Sequence, residues 1–305
     1  MIDLYRGDCL VESDKIEDGS VDLILTDLPY GTIKGMGGDM EKYKHLSNSN
    51  WDNVIDTDKI MQIANRILRK NGKMILTANQ PFTTELISKA IPNLPHSYNM
   101  YWDKMHFANC LVANKAPVSY IEDILVFSKK DDPNDGNLIR DYFRDQRKIV
   151  SHLNYPQIGR ILNITRQEAN NWLSVDKINW SFPTLEKYTL LQKIGICKKP
   201  YNELLDLNNK HKKKFTSTFN LWQGNKYKSN ILKYKKDYDG HHPTQKPILL
   251  LEDLIKTFSN ENDLVVDLTM GSGSCGVACQ NTNRDFIGIE MNDKYFDIAK
   301  ERMEQ

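Results

Sequence analysis

Cysteine is scarce and unpatterned in this chain: Cys9, Cys110, Cys197, Cys275 and Cys279 are odd in number and include no Cys-x-x-Cys pair. That distribution excludes a disulfide framework and leaves no zinc site, so no metal is expected. No apolar run approaches the ~18 residues that a membrane span requires, and no membrane partner is expected. The first residues enter a β-forming stretch without an apolar leader, which predicts a cytoplasmic protein. A large net charge is missing too, since 41 Lys and Arg face 40 Asp and Glu. The balance hides an asymmetry. Between residues 197 and 240 eleven lysines face four acids, giving +7, so the overall +1 leaves about −6 for the remainder. A concentrated basic segment suggests a polyanionic partner.

What the chain does have is an alternation of strand and helix signals. Its 305 residues can hold one large α/β domain with an insert. Residues 2–5 read as a short strand before Gly7-Asp8-Cys9, and residues 21–26 (VDLILT) as a buried parallel strand. Asp27-Leu28-Pro29-Tyr30 follows at once, where an open α/β sheet places its chemistry. Asp27 supplies a carboxylate acceptor, Pro29 holds Leu28 extended so that its carbonyl can turn outward, and Tyr30 supplies a flat aromatic face. Two acceptors beside a stacking platform suit the exocyclic amino group of a planar base. Residues 32–50, glycine-rich and without period, read as a binding loop. Helical spacing predicts a helix over 57–69 stopped by Asn71-Gly72, a strand over 73–78, a helix over 83–90, and strands over 98–104 and 121–128. This is the pattern of a doubly wound, mostly parallel α/β sheet.

From residue 131 the alternation stops, and 131–215 read as helical and polar. Residues 156–162, a short turn, then 166–173 form a helix, turn, helix, with Thr165 and Glu168 as a capping box. Arg166, Gln167, Asn170 and Asn171 then fall near the exposed start of the second helix, and these residue types pair with base edges in the major groove. A purely structural helical hairpin is the alternative. Lys212, Lys213 and Lys214 in the basic segment are candidate phosphate contacts.

The α/β pattern returns after Gly240. A helix over 247–258 and a strand over 263–268 lead into Met270-Gly271-Ser272-Gly273-Ser274, then a helix from Cys275. Glycines let a ligand approach the backbone, and a helix N-terminus offers unpaired N–H groups. Glu290 ends a strand over 285–290 about 20 residues on, where a ribose-binding carboxylate belongs. Gly-x-Gly alone would equally suit a dinucleotide enzyme.

Three ordered motifs resemble one family. Residues 26–31 resemble the Asp-Pro-Pro-Tyr motif of amino-methylating DNA methyltransferases, and 267–279 (DLTMGSGSCGVAC) resemble their S-adenosylmethionine motif. His242-Pro243-Thr244-Gln245-Lys246-Pro247 is similar to the segment that usually precedes it, and Phe286–Glu290 with Tyr295–Ala299 to its continuation. With the catalytic motif first, the order is that of the permuted β group, and the segments Gln80-Pro81-Phe82 and Ile121–Ile124 add a likeness to phage- and prophage-type adenine enzymes. The resemblance implies a Rossmann-like methyltransferase sheet in two halves, 1–130 and 218–305, around a helical target-recognition region at 131–217. It implies N6 methylation of adenine in double-stranded DNA with base flipping. Asp27, Leu28, Pro29 and Tyr30 would be catalytic. Asp8, Cys9, His242, Thr244, Gln245, Lys246, Asp267, Met270, Gly271, Ser272, Gly273 and Glu290 would line the cofactor. Two positions depart from the family: Leu28 stands where proline is usual, and Cys275 where threonine is common. N4-cytosine methylation is the rival within the class, although that group usually has serine at the place of Asp27. A catalytically silent DNA-binding protein and a nicotinamide dehydrogenase are the rivals outside it. A homodimer and a cognate restriction endonuclease are options that the sequence leaves open.

Overall fold

The computed structural model describes residues 1–31, 55–108, 113–130, 138–177, 180–237 and 245–304, with the side chains of 213 and 214 set aside. The chain divides into two compact units, 1–130 with 217–305 and 131–216.

In the first unit the described residues form an eight-stranded sheet. Its order is β1 (Ile2–Arg6), β8 (Asp285–Glu290), β7 (Leu264–Asp267), β2 (Val21–Thr26), β3 (Leu68–Ala78), β5 (Ser119–Ser128), β4 (His96–Ala108) and β6 (Ile231–Lys233). Strands β1, β8, β7, β2 and β3 run parallel, β5 is antiparallel to both its neighbours, and β6 pairs parallel with β4. Helices α1 (Cys9–Glu12), α2 (Thr57–Ile67), α3 (Phe82–Ser88), α9 (Ile248–Phe258), α10 (Ser274–Asn281) and α11 (Asp293–Glu304) accompany it. The strands are apolar at successive positions because both faces are covered. Ile24, Met74, Leu76, Leu125 and Phe127 pack with Ile60, Met61, Ala64 and Ile67 of α2 and with Phe82 and Leu86 of α3. Their neighbours Leu23, Leu25, Ile75, Ile124 and Val126 point the other way, onto Leu250 and Leu254 of α9, Ala278 of α10 and Ala299 of α11. The doubly wound reading of the sequence is the fold that forms.

Two local expectations fail. The helix predicted over 57–69 ends at Ile67, and β3 runs straight through Asn71 and Gly72. Asn71 has φ 65°, and the β2–β3 register shifts between Val21 and Leu23. A Cβ at Gly72 would lie 2.9 Å from the Arg69 carbonyl and 3.0 Å from that of Asp22. An Asn-Gly pair supports a left-handed residue in a strand irregularity as well as at a helix end, so the local signal was ambiguous. Strand β6 was not anticipated, since three residues of exposed, buried, exposed pattern carry too little period to be noticed.

The basic segment also divides between the two units. Lys228 lies not in solvent but against Asp253, which also accepts from Trp222 Nε1 at 2.9 Å and Tyr234 Oη at 2.8 Å. These bonds tie residues 222–234 to α9.

The second unit contains α4 (Leu138–Ile149), α5 (Tyr155–Leu162), α6 (Arg166–Leu173), α7 (Leu185–Gln192) and α8 (Tyr201–Phe215). Its own core gathers Phe143, Ile158, Leu162, Ala169, Leu173, Tyr188, Leu191 and Leu204. Asn154 and Gln157 form a capping box at the start of α5, and Thr165 and Glu168 form the expected one at the start of α6. Between them Asn163 is left-handed at φ 54°, and the Ile164 N–H donates to the Gly159 carbonyl at 2.9 Å. A Cβ at Gly159 would come within 2.8 Å of the Ile164 carbonyl, so this tight turn requires glycine there. Among the described residues no helix is long and apolar enough to cross a membrane.

Candidate active site

Parallel pairing sets the carboxyl ends of β1, β8, β7 and β2 side by side, and an acid stands at each. Asp8 follows β1, Glu290 ends β8, Asp267 ends β7 and Asp27 follows β2. Hydrogen bonds join the last two. Thr26 donates to Asp267 Oδ1 at 2.7 Å and lies 2.8 Å from the Thr269 hydroxyl, which itself donates to the Asp27 carbonyl at 3.0 Å. The aspartate motif and the glycine turn are thus one structure, although 240 residues separate Asp27 from Asp267 in sequence.

The Asp27 carboxylate sits in a ring of donors. Oδ1 accepts from Tyr30 Oη at 2.8 Å and from the Thr77 hydroxyl, and Oδ2 accepts from the Lys246 ammonium. Tyr30 Oη is also 3.2 Å from Glu122 Oε1, and its ring packs on Phe82 at 5.4 Å between centroids. Burial raises the Tyr30 pKa well above its ordinary value, with Asp27 and Glu122 adding to it, so the hydroxyl stays a donor. The Leu28 side chain is 2% exposed in the core below. Leucine is accepted at this position because what the residue fills there is apolar core.

On the glycine side, Gly271 has φ 51° and a Cβ there would meet nothing within 4 Å, so the turn presents bare backbone to open space. Glu290 holds that turn: its carboxylate accepts from the Gly271 N–H at 2.9 Å and the Asn292 N–H at 2.7 Å. Helix α10 starts at Gly273 without a side-chain cap. Gly276 serves packing instead of a ligand, since a Cβ would meet Met303 Sδ at 2.1 Å. Met270 is a core side chain, and Ser272 is held by Arg302, which donates to its carbonyl at 2.7 Å. Both residues are buried, so neither side chain is open to a ligand. Cys275 is buried, its Sγ 3.7 Å from the Leu25 carbonyl, which fits a small core residue where the family has threonine.

Asp8 caps α1 by accepting from the Leu10 N–H at 2.9 Å and is exposed beside the end of β8. Cys9 is buried, and that burial pushes its thiol up to about 12, so it is an inert core group. Gln245 is half-buried next to Lys246. The structure places the Lys246 ammonium on Asp27 and Glu122, at the Asp27 motif, where the resemblance had implied a cofactor-lining side chain. His242 and Thr244, the 32–50 loop and the side chains of Lys213 and Lys214 lie outside the described residues. Lys212 is exposed on α8. Arg166, Gln167 and Asn171 are exposed on α6, and Gln167 donates to Asn171 at 3.1 Å. Asn170 differs: it is half-buried and accepts from the Ser174 hydroxyl at 2.7 Å.

Four residues were given no role of their own in the sequence reading: Thr26, Glu122 and Thr269, which lie inside the quoted motifs, and Thr77, which lies outside them. The available signal was polar residues ending or interrupting apolar strands, and only strand pairing shows which of these face one point.

Burial pushes the Asp267 carboxyl up to about 7, against hydrogen bonds from Thr26 and the Thr269 N–H, with Asp27 and Glu290 adding to the rise. Its ionisation is disfavoured in the folded state, so this contribution to stability is complete below the ordinary carboxylate range and is lost as pH rises towards 7. The loss is about 4 kcal/mol at most. Asp267→Asn should flatten the fall in melting temperature between about pH 4 and 7. Parallel curves for the two proteins would show that Asp267 does not carry the effect.

Comparison with known proteins identifies the family. The N6_N4_Mtase family of DNA methylases matches residues 21–301. The type II methyltransferase M.HpaI of Haemophilus parainfluenzae is 48% identical over 63 residues, 21% of this chain and 20% of that protein. The DNA adenine methyltransferase YhdJ of Escherichia coli (strain K12) is 26% identical over 99% of this chain and 82% of its own length. Among solved structures, the M1.HpyAVI–SAM complex matches with a TM-score of 0.56 at 20% identity, covering 100% of both chains, which supports the fold. With the family match running through both motifs, from before Asp27 to beyond Glu290, this chain belongs to the N6/N4 DNA methylase family.

Proposed function

We propose that this chain methylates the N6 amino group of adenine in double-stranded DNA, with S-adenosylmethionine as the donor. The observation that carries the reading is the bonded junction of the two motifs, Thr269 to the Asp27 carbonyl at 3.0 Å and Thr26 to Asp267 at 2.7 Å. A donor held at the glycine turn would then lie next to the acceptors for the target amino group.

The residues present fit that donor. S-adenosylmethionine supplies an electrophilic methyl group on a sulfonium. Its ammonium and sulfonium charges suit a row of carboxylates, and its own carboxylate suits the uncapped start of α10. Glu290 is placed for ribose hydroxyls, at the end of β8, and the open backbone of Gly271 admits a close ligand. Asp27 and the Leu28 carbonyl would accept the two N–H groups of the target. That hold turns the nitrogen from its planar, conjugated form and aims its lone pair outward. The contribution is positioning and electrostatics, with no covalent enzyme intermediate. Tyr30 would stack on an adenine flipped out of the duplex. In the second unit, Arg166, Gln167 and Asn171 would read base edges.

Adenine is preferred over cytosine because the acceptor is Asp27 where cytosine enzymes of this kind usually carry serine, and YhdJ is named an adenine enzyme. Incubation of the chain with labelled S-adenosylmethionine and DNA, followed by mass spectrometry of the nucleosides, is the deciding experiment. N6-methyladenine is expected. N4-methylcytosine would move the activity to the other amino group, and no labelled base would overturn the reading.

Cofactor affinity tests the glycine turn separately. Gly271→Val places a branched side chain at φ 51°, in the space assigned to the ligand, and Glu290→Ala removes both the ribose contact and the acceptor that holds the Gly271 N–H. Each should weaken S-adenosylmethionine about 10- to 100-fold in calorimetry, equivalent to ~1.4–2.7 kcal/mol. Unchanged affinity in both variants would place the cofactor elsewhere.

A further inference from the structure

Asp27 is the proposed acceptor for the target amino group, yet its carboxylate is already engaged. Oδ1 accepts two hydroxyls, from Tyr30 and Thr77, and Oδ2 accepts the Lys246 ammonium. An incoming base must displace or share with one of these. The hydroxyls are neutral, but a buried ammonium cannot give up a carboxylate without another to receive it.

A second carboxylate stands at that distance. Glu122 Oε1 lies 3.0 Å from Lys246 Nζ, and Glu122 Oε2 lies 3.4 Å from Lys104 Nζ. The side chains of Lys104, Glu122 and Lys246 are 4%, 8% and 10% exposed, so this is an internal charge cluster and not a surface pair. Strand geometry puts Glu122 there: it pairs with Trp102 across β5 and β4, and Lys104 follows two residues along β4. Tyr30 Oη, at 3.2 Å from Glu122 Oε1, has the same choice of two acceptors as Lys246.

We propose that Glu122 is a positioning residue for methyl transfer: it takes the Lys246 ammonium from Asp27 when the target amino group arrives, which frees Asp27 to accept from the base. Lys104 keeps Glu122 aligned and its charge compensated during the exchange. Lys246 thereby occupies the catalytic carboxylate between turnovers and leaves it without entering solvent. This inference rests on the methyltransferase reading above.

The test compares full-length variants by transfer of label from S-adenosylmethionine to DNA from a host lacking methylated amino bases. Glu122→Gln removes the receiving charge, so Lys246 stays on Asp27, and kcat should fall about 10- to 100-fold. Affinity for S-adenosylmethionine should stay within about threefold, because the lost interaction concerns the target and not the donor. Adding Lys246→Gln to Glu122→Gln removes the competing ammonium and should recover most of the loss. Glu122→Gln also leaves Lys104 buried without a carboxylate, so the paired variant Glu122→Gln with Lys104→Met, which deletes the ion pair whole, is the control for folding. It should show the same fall in kcat. The inference is overturned by normal kcat in either folded variant, by no recovery on replacing Lys246, or by cofactor affinity and thermal stability declining in step with kcat. A wild-type chain without transferase activity would overturn the functional reading, and this inference with it.

Discussion

Asp27→Ala should reduce methyl transfer by about 10²–10³-fold or more while cofactor affinity and fold persist. The expectation of lost activity follows from the acceptor role: without the carboxylate, one of two hydrogen bonds that orient the target nitrogen disappears. The expectation of a preserved fold follows from what the removal leaves behind. Lys246 keeps Glu122 at 3.0 Å, and Tyr30 Oη keeps the same oxygen at 3.2 Å, so of the three donors only the Thr77 hydroxyl loses its acceptor on residue 27. The Leu28 side chain and the Thr269 bond to the residue 27 carbonyl do not depend on the Asp27 side chain. Single-turnover transfer, calorimetry with S-adenosylmethionine and a melting curve form the test. Near-normal turnover would refute the acceptor role, and collapse of the fold would show Asp27 to be structural.

Replacement of Arg166, Gln167 and Asn171 together by alanine should relax or shift the methylated DNA sequence while leaving cofactor affinity unchanged. Each good base-edge contact carries about 1–3 kcal/mol of discrimination, so the three together should weaken the choice of site by at least ~3 kcal/mol, about a hundredfold. The helix that carries them is well defined: the Thr165–Glu168 box caps it, Ala169 and Leu173 anchor its inner side, and Gln167 braces Asn171 at 3.1 Å. Asn170 is omitted because Ser174 already binds it and Asn170→Ala would disturb the helix end. Modification-sensitive sequencing of DNA from cells expressing the variant reports the outcome directly. If site choice and DNA affinity are both untouched, the helical pair is structural and base reading belongs to the basic residues between 197 and 240.

Much of this protein's architecture is legible in its sequence. Successive apolar residues in 21–26 and 263–268 announced strands covered on both faces, because only a central parallel strand tolerates them. The positions of Asp27 after a strand, of the Gly271–Gly273 turn before a helix and of Glu290 at a strand end were legible because a few adjacent residues set each one. The capping box at Thr165 was legible for the same reason. Where local signals failed, two answers had the same sequence, as at Asn71-Gly72, which fits a helix stop and a strand bulge alike.

Tertiary structure decided which separated residues act at one point. Nothing local relates Thr269 to Asp27, Thr77 to Asp27 or Glu122 to Lys246, because these relations come from the order in which strands pair and from the loops packed at their ends. The order β7-β2-β3-β5 brings the ends of four strands together, and with them a carboxylate, its donors and a second buried acid. It also changed the place of Lys246, which by its motif accompanies the cofactor segment but by its ammonium belongs to Asp27. A side chain's partners depend on the neighbours that its strand or loop is given, and a chain acquires those neighbours only when its distant segments pack.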